Sequence, residues 1–266
     1  MSWLRAPGAD DDKRSMGVLG VVTGSERYPG AAVLGVEAAW RAGVGTVRLW
    51  APRRVQDLVL ARRPETVCHE LEEEPTGVDA WLLGSGQDSR ERPTALRTLL
   101  DAALGSGAPC AIDAGALDLA GQHRGAAVVT PHAGELARML RALGRDVDAD
   151  AVRAAPVDSA RSVADALDVV VLLKGATTHV VAPGAAAVAV RAPTHRLAVA
   201  GSGDVLAGLL GAALASTAAD APRGERLASL VAAGVRLQGR AAALAAEGDV
   251  PIAALDVAER LADAQR

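Results

Sequence analysis

The sequence predicts an α/β fold, with a largely parallel sheet and helices packed on both of its faces. Three observations point there. Short β-like runs alternate with segments of helical spacing, several of those runs are apolar throughout as doubly buried strands are, and 266 residues suffice for one large domain of this kind. In chain order, residues 18–23 are a strand-like run of Val, Leu and Gly, and 31–41 carry Ala, Val and Leu at helical spacing. Residues 46–50 and 80–83 are strand-like, 93–104 are helical behind Pro93, and 110–112 and 128–130 are short apolar strands. Helical spacing returns at 134–143 and 157–167, followed by a strand over 169–173. Residues 178–182 and 187–191, joined through Pro183-Gly184, read as a hairpin at the end of the sheet. Two apolar helices, 205–214 and 225–246, close the series. Residues 1–12 are expected to be a flexible N-terminal segment, 13–266 a single domain, and the acidic stretch 70–74 a solvated loop.

Composition removes several classes of function. Half of the residues are hydrophobic, yet there is no Phe and one Tyr, so the core must be built from Ala, Val and Leu with helices packed close. A net charge of −4 gives no basic footprint for nucleic acid. The longest apolar run, 205–219, is too short and too rich in small residues to span a bilayer. The N-terminus, with Asp10, Asp11 and Asp12, lacks the basic-then-apolar pattern of an export signal. Cys68 and Cys110 lie far apart, with no Cys-x-x-Cys and no His pair at ligand spacing, which argues against disulfides and zinc. The expectation is a cytoplasmic protein without nucleic-acid or membrane partners. No Gly-x-x-x-x-Gly-Lys-Ser/Thr, no Gly-x-Gly-x-x-Gly after the first strand and no Gly-x-Ser-x-Gly elbow is present.

Ligands of open α/β sheets collect at the carboxyl ends of the strands. Just past the strands here stand Gly24-Ser25, Gly84-Ser85-Gly86, Asp113, Pro131-His132 and Lys174-Gly175. Farther on, Ala200-Gly201-Ser202-Gly203-Asp204 delivers an acid to the start of an apolar helix. The unused N–H groups of Gly201, Ser202 and Gly203 and the positive dipole end suit an oxyanion. Asp204 is then either a helix-capping acid or a catalytic base beside a phosphate. Lys174-Gly175-Ala176-Thr177-Thr178 offers a cation, two hydroxyls and a tight glycine backbone for phosphate oxygens, although as a lone turn it could be purely structural.

Paired, these two segments resemble the nucleotide site of the ribokinase-like superfamily. Four more segments narrow the resemblance: Tyr28-Pro29-Gly30-Ala31-Ala32-Val33-Leu34 with Arg41-Ala42-Gly43-Val44-Gly45, Thr130-Pro131-His132-Ala133-Gly134-Glu135-Leu136-Ala137-Arg138, Ile112-Asp113-Ala114-Gly115-Ala116-Leu117, and Lys13-Arg14-Ser15-Met16-Gly17. Together they are similar to the ADP/ATP-dependent NAD(P)H-hydrate dehydratase family. The resemblance implies a ribokinase-like three-layer sandwich and a hydro-lyase that repairs the S epimer of NAD(P)HX. In that family ADP in most bacteria, or ATP in eukaryotes, phosphorylates the ring hydroxyl, and elimination of the ester restores NAD(P)H. It implies Asp204 as catalytic acid–base and substrate contact, with Ala32, Gly86 and His132 as further contacts to NAD(P)HX. Lys174, Gly175, Ala176, Thr177, Thr178 and Gly203 would bind the nucleotide, with Mg²⁺. It further implies a homo-oligomer, tetrameric by resemblance, and a separate epimerase, for whose domain the short chain leaves no room.

The chain departs from the family pattern in places. Gly84-Ser85-Gly86-Gln87 stands where Gly-Pro-Gly-Leu-Gly is common, and Gly115 and Asp118 replace an Asp and an Asn. The approach Pro193-Thr194-His195-Arg196-Leu197-Ala198-Val199 is shorter than usual and is expected to neighbour the nucleotide, where it could change either affinity or the choice between ADP and ATP. The alternatives are a ribokinase-like kinase of a hydroxyethylthiazole or hydroxymethylpyrimidine, and a non-catalytic nucleotide-binding protein. Retention of Asp204 and Lys174 weighs against the last.

Overall fold

The structure is a computed structural model and describes Gly8 and residues 14–266. The expected N-terminal segment, Gly8 apart, lies outside the described residues. The elements in order are β1 (Val18–Val22), α1 (Gly30–Arg41), β2 (Thr46–Trp50), α2 (Arg53–Arg62), β3 (Val67–His69), β4 (Ala80–Leu83) and α3 (Thr94–Gly105). After β5 (Cys110–Ile112) comes a 3₁₀ segment (Ala114–Gln122), then β6 (Ala127–Val129), α4 (Ala133–Ala142), α5 (Ala149–Ala154), α6 (Pro156–Leu167) and β7 (Val170–Leu173). The chain ends through β8 (Thr177–Val181), β9 (Val188–Arg191), α7 (Ser202–Ser216), α8 (Gly224–Ala245), α9 (Ala254–Glu259) and α10 (Leu261–Ala264).

All nine strands form one sheet in the order β3-β2-β1-β4-β5-β6-β7-β8-β9. The first seven run parallel, with Val18 opposite Thr46 and Leu19 opposite Ala80, while β8 runs antiparallel to β7 and β9 antiparallel to β8. Strand order reverses between β1 and β4, the place where a parallel sheet opens a crevice at its carboxyl edge. Alternate residues of the buried strands face opposite layers. Leu19, Val21, Leu82 and Leu172 join α1, α7, α8 and α9 in one core, whereas Val22, Trp81, Leu83 and Leu173 join α3, α4 and α6 in the other. The expected three layers are present.

Five elements lie outside the sequence-based expectation: α2, β3, α5, α9 and α10. Helix α2 buries Val55, Gln56 and Val59 among arginines, which masks its periodicity. Strand β3 is a three-residue edge with Val67 exposed, so it lacks the apolar run that marks an interior strand. Stretch 70–74 is the expected exposed loop, although the Glu73 carbonyl accepts a hydrogen bond from Trp50 Nε1 at 3.2 Å.

Helix α7 lies buried along nearly its whole length, and small residues let it do so. A Cβ on Gly208 would stand 2.0 Å from the carbonyl oxygen of Gly35, so α1 and α7 cross in backbone contact. This crossing sets where the N-terminus of α7 meets the carboxyl edge of the sheet. Gly208→Ala is therefore expected to cost about 2–3 kcal/mol, read as a lower urea midpoint. A midpoint at the wild-type value would show that the helices part without penalty.

Candidate active site

The chain enters α7 through Gly201, whose φ of +87° is one that other residues seldom adopt. A Cβ there would also meet Leu34 at 2.5 Å and Ala254 at 3.0 Å, so the turn is held from two sides. Gln238 of α8 donates to the Ser202 carbonyl at 2.6 Å. No side chain caps α7, and Gly201, rather than Ser202, is its N-cap. The Ser202 N–H bonds the Val199 carbonyl at 3.4 Å, no side chain takes the N–H groups that follow it in the first turn, and Asp204, in that turn, is not a capping acid.

The neighbouring strand ends supply a buried charge network. Asp113, past β5, accepts hydrogen bonds from Ser85 Oγ at 2.9 Å, Thr130 Oγ1 at 2.7 Å and Lys174 Nζ at 2.9 Å. Lys174 is carried there because its backbone N–H bonds the Pro131 carbonyl at 2.8 Å, extending β7 alongside the strand end at His132. Its ammonium lies 3.9 Å from Glu135 and 3.5 Å from where a Cβ on Gly203 would be. His132 caps α4: its Nδ1 accepts from the N–H groups of Gly134 and Glu135, and the Glu135 carboxylate accepts from the His132 N–H at 2.8 Å. With Nδ1 an acceptor, Nε2 of the neutral ring carries the proton, and the ring is half exposed beside a cavity.

Two cavities flank the 174–178 turn. One, of about 520 Å³, is lined by His132, Arg153, Lys174, Gly175, Thr177 and His179. The other, of about 440 Å³, is lined by Thr178, His195, Ser202, Gly203 and Gln238, with Lys174, Gly175 and Ala176 shared. The divergent loop is pinned beside it, with Pro193 against Gly239 of α8 and Arg196 paired to Asp249 at 2.9 Å.

The structure brings Asp204, Lys174, His132, Gly203 and the 174–178 turn to one edge. Gly86 and Ala32 stand nearby but present less. Gly86, at φ +70°, backs onto Ala31 and the Tyr28 carbonyl, and Ala32 is wholly buried, packed under Gly24. Its side chain shapes the floor of the crevice without facing it. Asp113, Glu135, Ser85 and Thr130 received no role from the sequence, although Asp113 and Ser85 stand just past strands and the other two lie in the Thr-Pro-His segment.

The sequence profile of a family described as NAD(P)H-hydrate dehydratase matches residues 19–263. The chain belongs to the NAD(P)H-hydrate dehydratase family. It is 36% identical over 225 residues to the ADP-dependent (S)-NAD(P)H-hydrate dehydratase of Xanthomonas campestris, covering 78% of this chain and 74% of that protein. It is 39% identical over 217 residues to a bifunctional NAD(P)H-hydrate repair enzyme of Mycobacterium tuberculosis, covering 79% of this chain and 43% of the relative. The chain spans about half the length of the bifunctional relatives it matches. A crystal structure of the ADP/ATP-dependent NAD(P)H-hydrate dehydratase from Bacillus subtilis, co-crystallized with ATP/Mg²⁺, superposes with a TM-score of 0.83 at 24% identity, covering 97% of this chain and 92% of that one. A crystal structure from Enterococcus faecalis described as a ribokinase-like superfamily protein superposes with a TM-score of 0.79 at 18% identity, covering 98% of this chain and 91% of that one, so the fold is ribokinase-like.

Within this family member, Asp204 is the least compensated acid of the network. Burial, and then repulsion from Asp113, push its carboxyl up to about 6, against the lowering influence of Lys174. Burial pulls the Lys174 ammonium down, but Asp113 and Glu135 outweigh it and hold the group above its ordinary value. Because the folded value of Asp204 lies above the unfolded 3.8, its favourable contribution is full below pH 3.8 and is lost as pH rises through about 6. Asp204→Asn is therefore expected to match wild type near pH 3.8 and to be more stable by about 3 kcal/mol at pH 8. Urea denaturation at the two pH values checks this; equal stability at pH 8 would contradict the raised value.

Proposed function

We propose that this chain dehydrates the S epimer of NAD(P)HX back to NAD(P)H, as a nucleotide-dependent hydro-lyase whose one catalytic domain spans 13–266. The observation that carries the reading is the Asp204 carboxylate, uncapped and raised toward neutrality, in the open first turn of α7. Hydroxide is a poor leaving group and a phosphate ester a good one. Asp204 accepts the proton of the ring hydroxyl, whose oxygen attacks the terminal phosphorus of ADP or ATP. The bond from that phosphorus to the nucleotide breaks, so ADP leaves as AMP. The ring C–O bond then breaks with loss of a proton from the adjacent ring carbon, releasing phosphate and restoring the double bond.

The nucleotide is assigned to the cavity beside Thr178 and His195, with Lys174 to Thr178 and Gly203 along its phosphates and the N–H groups at Gly201, Ser202 and Gly203 on the transferred group. NAD(P)HX is assigned to the side of His132 and Gly86, where Ala32 keeps the crevice floor low. Among the described residues no group of three or more His, Cys, Asp and Glu side chains could hold a metal ion. Mg²⁺ carried by the nucleotide would supply charge neutralisation at the phosphates, alongside Lys174. No described helix is long and apolar enough to cross a membrane. A cytoplasmic homo-oligomer, tetrameric by family resemblance and working beside a separate epimerase, completes the proposal.

Chemically hydrated NADH mixed with the protein and ADP or ATP is expected to regain the absorbance of the reduced cofactor while phosphate appears. Nucleotide turnover with a thiazole or pyrimidine alcohol alone would instead favour a small-molecule kinase. In the repair assay Asp204→Asn is expected to lower kcat by about three decades while nucleotide still binds by calorimetry. Near-normal turnover in that variant would remove the base.

A further inference from the structure

Asp113 is the most heavily bonded carboxylate at the carboxyl edge, and the reaction proposed above gives it no step. Asp113 and its partners stand at the ends of four adjacent strands: Ser85 past β4, Asp113 past β5, Thr130 past β6 and Lys174 past β7. Ser85, Thr130 and Asp113 are all buried. Both oxygens of Asp113 accept hydrogen bonds, one of them from the ammonium, so the group is committed and is not itself a proton acceptor for substrate. A buried carboxylate tied this tightly has a fixed position, and so has the ammonium paired with it.

That ammonium has other acids within reach. Asp204 acts on it from α7 and Glu135 from α4. The charged groups that act on the Asp204 carboxyl are Asp113 and Lys174 from the strand ends, with Gly201 at the head of its own helix close to Oδ2. Without Asp113, the Lys174 charge would fall to Glu135, at 3.9 Å, and Asp204; Glu135 is already tied to the His132 N–H, which leaves a salt bridge with Asp204 open to the ammonium. Such a bridge would make the acid a weaker base and draw the cation off the phosphoryl site.

We infer that Asp113 is a positioning residue: tethered by Ser85 and Thr130, it holds Lys174 beside Gly203 at the mouth of α7 and prevents the ammonium from neutralising Asp204. The inference rests on the reading of Asp204 as the base. It predicts a particular pH effect. Turnover needs ionised Asp204, so activity falls as pH drops through its titration. Removing the Asp113 charge and releasing Lys174 both favour the Asp204 carboxylate, which moves that acid limb to lower pH.

The experiment is kcat against pH with hydrated NADH and ADP, on the whole chain, for wild type, Asp113→Asn and Asp204→Asn. Asp113→Asn is expected to lower plateau kcat about tenfold or more and to shift the acid limb down by about half a unit or more. A purely structural role would lower the melting temperature but leave the limb at its wild-type position, and that result overturns the inference. Thr130→Val, which keeps the Asp113 charge but removes one tether, is expected to lower kcat several-fold with the limb unmoved. If Asp113→Asn does not fold, wild-type kcat in Thr130→Val overturns the inference. Asp204→Asn separates the two readings. Wild-type turnover there ends the base assignment, whereas a dead Asp204→Asn beside an unaltered Asp113→Asn profile ends only the role given to Asp113.

Discussion

Lys174 stands at the carboxyl edge of the sheet with Asp113, Glu135 and Asp204 around it, and the chemistry of the edge turns on how one ammonium is divided among three acids. Charges out of water persist only when paired and hydrogen-bonded. Asp113 takes the direct ion pair and two hydroxyls besides. Glu135, farther from the ammonium, is satisfied in part by the N–H at the head of α4. Asp204 receives what is left, and its carboxyl moves up to about 6 as a result. A carboxyl poised near neutrality is the form in which an acid serves best as a general base at ordinary pH.

The scaffold achieves its precision with small residues. There is no Phe, and the largest fully buried side chains, Trp50 and Trp81, meet at a tilt in the second core, their ring centroids 5.4 Å apart. Elsewhere backbone meets backbone. Alongside the α1–α7 crossing, a Cβ on Gly84 would stand 2.1 Å from the Asp113 carbonyl, so the 84–86 turn and the end of β5 are nested. The Asp113 N–H also bonds the Leu83 carbonyl at 2.9 Å. Ser85 is thereby delivered to the Asp113 carboxylate by main-chain packing. Close approach of this kind transmits position well because little side-chain freedom intervenes.

Local signals account for what the sequence made legible. Asp204 and Lys174 sit in glycine turns at the start of a long apolar helix and the end of an apolar strand, and both turns read without knowledge of the sheet. The interior strands were legible for the same reason: each is a run such as Val170–Leu173, buried on both faces. Asp113 was not legible as part of a charge network, because its role depends on β5 lying between β4 and β6, a non-local fact. One overlooked signal was available. The chain carries 28 Lys and Arg residues, and all are arginine except Lys13 and Lys174. A compact ammonium fits among carboxylates where a planar guanidinium would need a wider, flatter space. Ala32 is the opposite case, since similarity of position said nothing about its burial.

In the proposed reaction, anion binding and base catalysis make opposed demands on the head of α7. The helix N-terminus and the adjacent ammonium would attract a phosphoryl group, and the same positive field would stabilise the Asp204 carboxylate and weaken it as a base. Burial alone would restore basicity, but burial also raises the cost of the lysine. A second acid, placed so that it pairs with the lysine and repels Asp204, meets both demands at once. Asp113 occupies that position, and its own tethers to Ser85 and Thr130 keep it from moving to relieve the repulsion.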